Sequence, residues 1–374
     1  MTRRILIAPD KFKGSLTALQ AAEAIAAGIA LLDPAAECDL CPIADGGEGF
    51  MESLAAALKG RWIPCPAVDA LGREIDSRYV LAETPEGPLA VMEMAETAGM
   101  WRLKADERNP LVATTRGVGL QMAHAVREHG VQRIILGLGG SATNDAGCGM
   151  ASAIGVNFLN DEGKEIDPIP VNLECLSRVD IGRRMVLPEI TAACDVDNPL
   201  LGTTGATSVF SAQKGASDEA KVTLEGALEK LVQCSGGELK SVTPGAGAAG
   251  GLGFGLLQFA DAKLVSGFEL LADLTGLEAR VRAVNHVVTG EGSIDFQSLS
   301  GKGPVALARM ARSHGVAVTG FCGMSDEVAR ESGIFDSLHA LADGGLPLET
   351  LIERAGPLLT EMVLNSQFFE ARTR

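Results

Sequence analysis

Aromatic residues are scarce: two Trp, one Tyr and twelve Phe make up 4% of 374 residues. So few rings leave few stacking platforms for single-stranded nucleic acid. Positive charge is short too. Asp and Glu outnumber Lys and Arg by 48 to 32, a formal net charge of −16, and such a field repels nucleic acid and anionic membrane surfaces. No apolar run reaches the ~20 residues that span a bilayer. The start, MTRRILIAPDKF, carries an apolar run too short for a secretion signal. The expectation is a cytoplasmic protein with neither nucleic-acid nor membrane partners. The Walker A pattern GxxxxGK[ST] is missing, so that phosphate cradle is excluded. Eight cysteines are scattered along the chain. The one CxxC, Cys38–Cys41, lies in a strand-like segment where alternation sends its thiols to opposite faces. No second CxxC and no nearby histidine completes a zinc site.

What is present describes a globular protein. The chain is 46% hydrophobic and 21% charged, and its length allows two domains. The opening alternates: strand RRILIAPD, a helix from Ala18 with a Thr17/Gln20 capping box, strand ECDLCPIA, a helix, and RWIPCPAVDAL as a third strand. This βαβαβ start predicts a parallel sheet covered by helices. The middle holds two hairpin patterns, turning at Pro-Glu-Gly and at Asp-Glu-Gly, with helices between them. The end alternates again, through VNHVVTGEG, GPVALARMARSHG and VAVTGFCG. The expected fold is α/β with two domains. Residues 1–70 and 285–374 would form a doubly wound parallel sheet built from both termini, and residues 71–284 an inserted α+β domain.

Five apolar strands run into loops of one kind: PDKFKGS, DGGEG, GGSATNDAG, DVDNP and EGSID. In open α/β sheets ligands bind outside the carboxyl ends of the strands. None of the five histidines (124, 129, 286, 314 and 339) lies in these loops, which disfavours a Ser-His-Asp hydrolase. Within GLGGSATNDAG, Gly139 and Gly140 allow close backbone approach. Their N–H groups and the Ser141 hydroxyl can donate to phosphate oxygens, and Asn144 or Asp145 would cap the next helix. GAGAAG at Gly245–Gly250 matches GxGxxG but follows no clear strand, so a close-packed turn is the better reading. The loops also carry Asp45, Glu48, Asp195, Asp197, Glu291 and Asp295. Phosphoryl transfer needs such carboxylates to hold Mg²⁺ and to accept a hydroxyl proton, with cations such as Lys11, Lys13 and Lys302 beside them.

These motifs carry a resemblance. APDKFKGSL, DGGEGF, MEMAETAGM, RNPLVATTRGVG, LGLGGSATNDAGCGM, CDVDNPLLG, FSAQKGA, PGAGAAGGLGFG and TGEGSIDFQSLSGKGP run in order from residue 8 to about 304. The chain resembles bacterial glycerate kinases of the glyoxylate and glucarate pathway type. The resemblance implies ATP- and Mg²⁺-dependent phosphorylation of D-glycerate, giving 2-phosphoglycerate. It also implies a flavodoxin-like domain and an insert resembling a restriction-enzyme fold. Two positions depart from the family pattern: Lys11 stands where serine is common, and Ala146 where glycine is.

Physical reasoning then distributes the roles. Asp195, straight off a buried strand beside the Asn198 amide, is the expected general base. Asp45 is the second candidate, as base or metal ligand. Glu291 and Asp295 would hold Mg²⁺ directly or through water. Gly139, Gly140, Ser141 and Asn144 would contact nucleotide phosphates, and Lys302 would neutralise charge. Lys13, Arg108 or Lys214 would grip the glycerate carboxylate, with Arg108 favoured for its fork. The alternatives are phosphorylation at C3 and, resting on GAGAAG, a nicotinamide-dependent hydroxyacid oxidoreductase. A monomer and a homodimer are both compatible with the sequence.

Overall fold

The computed structural model describes residues 3–44, 46–296, 298–300 and 303–366. In chain order the strands of its two main sheets are β1 (Arg4–Ile7), β2 (Glu37–Leu40), β3 (Arg61–Val68), β4 (Glu74–Thr84), β5 (Gly87–Glu93), β6 (Arg133–Gly137), β7 (Glu189–Ala193), β8 (Lys263–Val265), β9 (His286–Thr289), β10 (Ala317–Cys322) and β11 (Ser337–Ala340). The chain divides into two compact units. One comprises Met1–Asp45, Glu52–Ala57 and Phe268–Arg374, the other Gly46–Met51 and Leu58–Gly267.

The first unit holds a five-stranded, all-parallel sheet in the order β11-β10-β9-β1-β2. Counted within the unit this is 2-1-3-4-5, the order of flavodoxin-like sheets. Its central strands read as continuous apolar runs because both faces are covered: all six residues of β10 are buried. The helix Ala18–Leu32 starts on the expected capping box, Thr17 accepting from the Gln20 N–H and the Gln20 side chain accepting from the Thr17 N–H. It buries Ala21, Ala22, Ile25 and Ile29 with Ile5, Ile7, Val288, Leu359 and Val363. A β-carbon at Gly28 would stand 2.7 Å from Val363 Cβ. Glycine there lets this helix lie directly against the last one, Ala355–Asn365.

The second unit holds a six-stranded sheet in the order β8-β7-β6-β5-β4-β3. Strands β8, β7, β6 and β5 are parallel, whereas β4 and β3 add antiparallel. The β4–β5 hairpin turns where Pro-Glu-Gly predicts it, with Thr84 facing Gly87. RWIPCPAVDAL departs from expectation. It is β3, paired antiparallel with β4 over its whole length rather than parallel in the first sheet. Two features explain this. Ile63, Cys65 and Ala67 are buried in alternation with exposed Pro64 and Pro66, a one-sided pattern with prolines on an edge strand. The Asp69 carboxylate also accepts from the N–H groups of Leu71 and Arg73 and pairs with the Arg73 guanidinium at 2.6 Å, closing a local turn. The chain therefore passes between units at 45/46, 51/52, 57/58 and 267/268, where the sequence pattern suggests 70 and 285.

Candidate active site

The five polar loops fall into two sets. Those after β1, β2 and β9 leave the carboxyl ends of the first sheet, and those after β6 and β7 the carboxyl ends of the second. Asp45 and Lys302 lie outside the described residues.

In the first unit the chain leaves β1 toward β2 on one side, while β9 adds on the other. That reversal is a topological switch point, where the two strand-end loops part and leave a crevice. A cavity of about 420 Å³ lies there, lined among others by Asp10, Lys11, Lys13, Glu291 and Ser293. Its floor is tied together by backbone hydrogen bonds: Asp10 N–H to Gly290 O (2.8 Å), Gly292 N–H to Lys11 O (3.3 Å) and Met324 N–H to Gly292 O (3.0 Å). A β-carbon at Gly292 would meet the Lys13 nitrogen at 3.1 Å, so glycine lets the two loops touch. Lys13 and Glu291, expected to serve the site, are thus brought together. Asp295 is tied locally, its carboxylate accepting from the Ser298 N–H at 3.1 Å. Asp10, which the sequence analysis above does not name as a site residue, is buried at this point. Its signal in the sequence is an acid in the loop directly after an apolar strand.

In the second unit the loop after β6 turns inward. Gly139 packs against Gly47, where any β-carbon would collide with the Gly47 Cα. Gly140 takes φ +75°, and its carbonyl accepts from the Met100 N–H at 2.9 Å. Ser141 is buried and bridges Gly99. Asn144 is fully enclosed and donates to Thr207 Oγ1 at 3.1 Å. Chain packing therefore accounts for the bareness at Gly139 and encloses Asn144. GAGAAG has the same explanation. Ala249, Gly250 and Gly251 take left-handed backbone angles at the kinked start of the helix Ala248–Phe259. Gly250 lies so close to the Thr143 carbonyl that no β-carbon fits, and no dinucleotide turn is formed.

Asp145 and Lys214 are the buried charges behind this loop. Asp145 accepts from the Thr115 N–H and hydroxyl (2.8 Å each) and from the N–H groups of Gly147 and Gly149 (3.1 Å each). Burial raises its pKa and these donors pull it back. Lys214 donates to the Thr143 carbonyl at 2.7 Å. Burial lowers its pKa to about 7, against the opposing pull of Asp145. Enclosed in this way, Lys214 holds the loop and does not present itself to a small anion. Arg108 stays half-buried, its Nε enclosed with no partner among the described residues. Its carbonyl packs on Gly215, so it lies beside the Lys214 turn.

Asp195 is exposed at the end of β7, its Oδ1 accepting from Ser266 Oγ (3.2 Å) and the Gly267 N–H (3.0 Å). Asn198 is not its orienting partner. The Asn198 amide instead donates to the Thr204 carbonyl at 2.8 Å and shapes its own loop.

The Lys214 shift fixes a pH dependence. The unfolded amine holds its proton up to its ordinary 10.5, whereas the folded one releases it near 7. Between those values the unfolded state binds more protons, so this group's contribution to stability rises with pH. Below about pH 7 the amine is charged in both states and the burial cost is fully present. Relative to Lys214→Met, the wild type should gain up to about 1.4 kcal/mol per pH unit over that window. Urea unfolding between about pH 7 and pH 8.5 checks this, and parallel profiles for the two proteins would refute it.

Sheets of largely parallel strands with acid-, lysine- and glycine-bearing loops at the carboxyl ends of those strands define the class, an α/β enzyme acting on small molecules. Comparison with known proteins narrows it. The model of the glycerate kinase family matches residues 5–367. A glycerate kinase from Halalkalibacterium halodurans is 40% identical, covering 96% of each chain. A glycerate 2-kinase from Escherichia coli is 39% identical over 87% of this chain and 86% of its own. A crystal structure assigned to glycerate kinase 2 of Salmonella typhimurium LT2 superposes with a TM-score of 0.85 at 33% identity, covering 99% of both chains. The chain belongs to the glycerate kinase family, and it is a kinase.

Proposed function

We propose that this protein is a cytoplasmic enzyme that transfers the γ-phosphoryl group of ATP to the C2 hydroxyl of D-glycerate, giving 2-phosphoglycerate. The observation that carries this reading is the family match over residues 5–367. A relative named for 2-kinase activity, from Escherichia coli, favours C2 over C3. The first unit is then the flavodoxin-like domain and the second the inserted domain of restriction-enzyme type.

Asp195 takes the proton of the C2 hydroxyl. Its Oδ1 bonds to Ser266 and Gly267 fix the carboxylate plane. Arg108 grips the glycerate carboxylate, since a guanidinium offers paired donors and its Nε has no competing protein partner among the described residues. Lys13 is the second candidate for that contact.

Mg²⁺ suits the donors present. Among the described residues no group of three or more His, Cys, Asp or Glu converges, so no all-protein cage exists there. Asp10 and Glu291 line one cavity, and Mg²⁺ is commonly held by one or two carboxylates with water and substrate phosphates. Those two residues would hold it, with Asp295 contributing through water. When bound, the ion neutralises charge on the phosphate oxygens.

The test is NMR of the product formed from D-glycerate, ATP and Mg²⁺. A three-bond phosphorus coupling on the C2 proton is the expected result. That coupling on the C3 protons instead refutes the regiochemistry, and no phosphorylated product refutes the function.

A further inference from the structure

We infer that the cavity at the switch point of the first unit is the purine nucleotide site, with the phosphates on its lysine-bearing floor and the base against its apolar wall. The inference rests on the kinase reading above and names where that reading's nucleotide binds.

The lining is chemically divided by chain segment. The loops after β1 and β9 bring Lys11, Lys13, Ser15 and Ser293 as donors, with Asp10 and Glu291. The later segments bring an apolar wall: Met324, Leu341, Leu348, Leu351 and Ile352. A hydroxy acid as small as glycerate has no apolar part to set against such a wall, whereas a nucleotide has a flat heterocycle at one end and phosphates at the other. The volume, about 420 Å³, falls within the roughly 300–1,000 Å³ of small-molecule sites.

The wall is also open to water. Leu348 is 58% exposed, Met324 45% and Ile352 42%. Exposed apolar side chains gathered around a cavity mark surface kept for a ligand. The floor is rigid where the wall is open. Its loops are locked by the backbone bonds already described, and a β-carbon at Gly323 would come within 2.5 Å of the Gly292 carbonyl. Preorganised donors lower the ordering cost of binding. The carboxylates fit the assignment too, because Asp10 and Glu291 would repel phosphates unless a divalent cation came with them.

Binding of ATP with Mg²⁺ to the full chain, measured by calorimetry, tests the assignment. Leu348→Arg and Ile352→Glu alter exposed side chains of the wall and should weaken ATP binding about 10- to 100-fold. Val186→Arg, at a site 90% exposed in the second unit, should change nothing. Photolabelling of the wild type with 8-azido-ATP should mark residues 341–355, a readout that no variant's folding can confound. Wild-type affinity in both wall variants, or label confined to the second unit, overturns the assignment. The two readings fail separately. ATP bound at this wall without glycerate phosphorylation sinks the proposed function and leaves the site. Normal turnover with an unchanged KM for ATP in both wall variants sinks the site and leaves the function.

Discussion

Asp195→Asn is expected to lower kcat for glycerate phosphorylation by about 10²- to 10⁴-fold. The substitution is nearly isosteric. Its side-chain oxygen can still accept from Ser266 and from the Gly267 N–H, so the loop after β7 keeps its shape. What goes is the ability to take a proton as the hydroxyl attacks. The carboxylate is exposed, and its replacement removes no buried partner, so the unfolding midpoint should stay close to that of the wild type. Steady-state kinetics beside a urea melt separate the two effects. A folded variant turning over at nearly the wild-type rate would show that another group accepts the proton, and Asp10 would be the next to test.

Asp145→Ala should cost about 3–5 kcal/mol of stability, because it strips a buried, four-fold hydrogen-bonded carboxylate from its donors. Four donors lose their acceptor at once: the Thr115 hydroxyl and the N–H groups of Thr115, Gly147 and Gly149. Each buried donor left without a partner carries a desolvation cost of about 1–3 kcal/mol, and the Lys214 amine loses the negative charge that favours its protonation. Domains are stable by only about 5–15 kcal/mol, so the variant should unfold at far lower urea. Adding Lys214→Met should recover part of the loss, because the orphaned amine goes with it. A cost under about 1 kcal/mol, or strict additivity in the double variant, would show that the pair is not coupled.

The alternating outline of the first unit was legible because its signals are local. Thr17 and Gln20 cap a helix in three residues, and β10 is apolar throughout. The mis-assigned strand was legible in principle. Pro64 and Pro66 on the exposed face of β3 point to an edge, but a parallel reading of the opening masked their alternation. The inward turn of GGSATNDAG could not be read along the chain. Whether Gly139 faces a phosphate or Gly47 depends on a segment about ninety residues away in sequence. The same holds for Lys214, which looks like any loop lysine until the chain closes around it and Thr143. Composition announces that a glycine is bare and a lysine charged. Only the tertiary partner decides whether either serves a ligand or the fold.

Strand β1 pairs on one side with β2, some thirty residues on, and on the other with β9, from Arg4–Ile7 to His286–Thr289. The first helix waits longer still for its partner, Ala355–Asn365. During synthesis, then, β1 leaves the ribosome long before one of its two partner strands. Residues 58–267 make up nearly all of the second unit and can begin to fold as they emerge, while β1 keeps an open edge until more than two hundred further residues have been made. The hazard of that interval is edge-to-edge association of nascent chains, and it belongs to translation, before the mature protein exists.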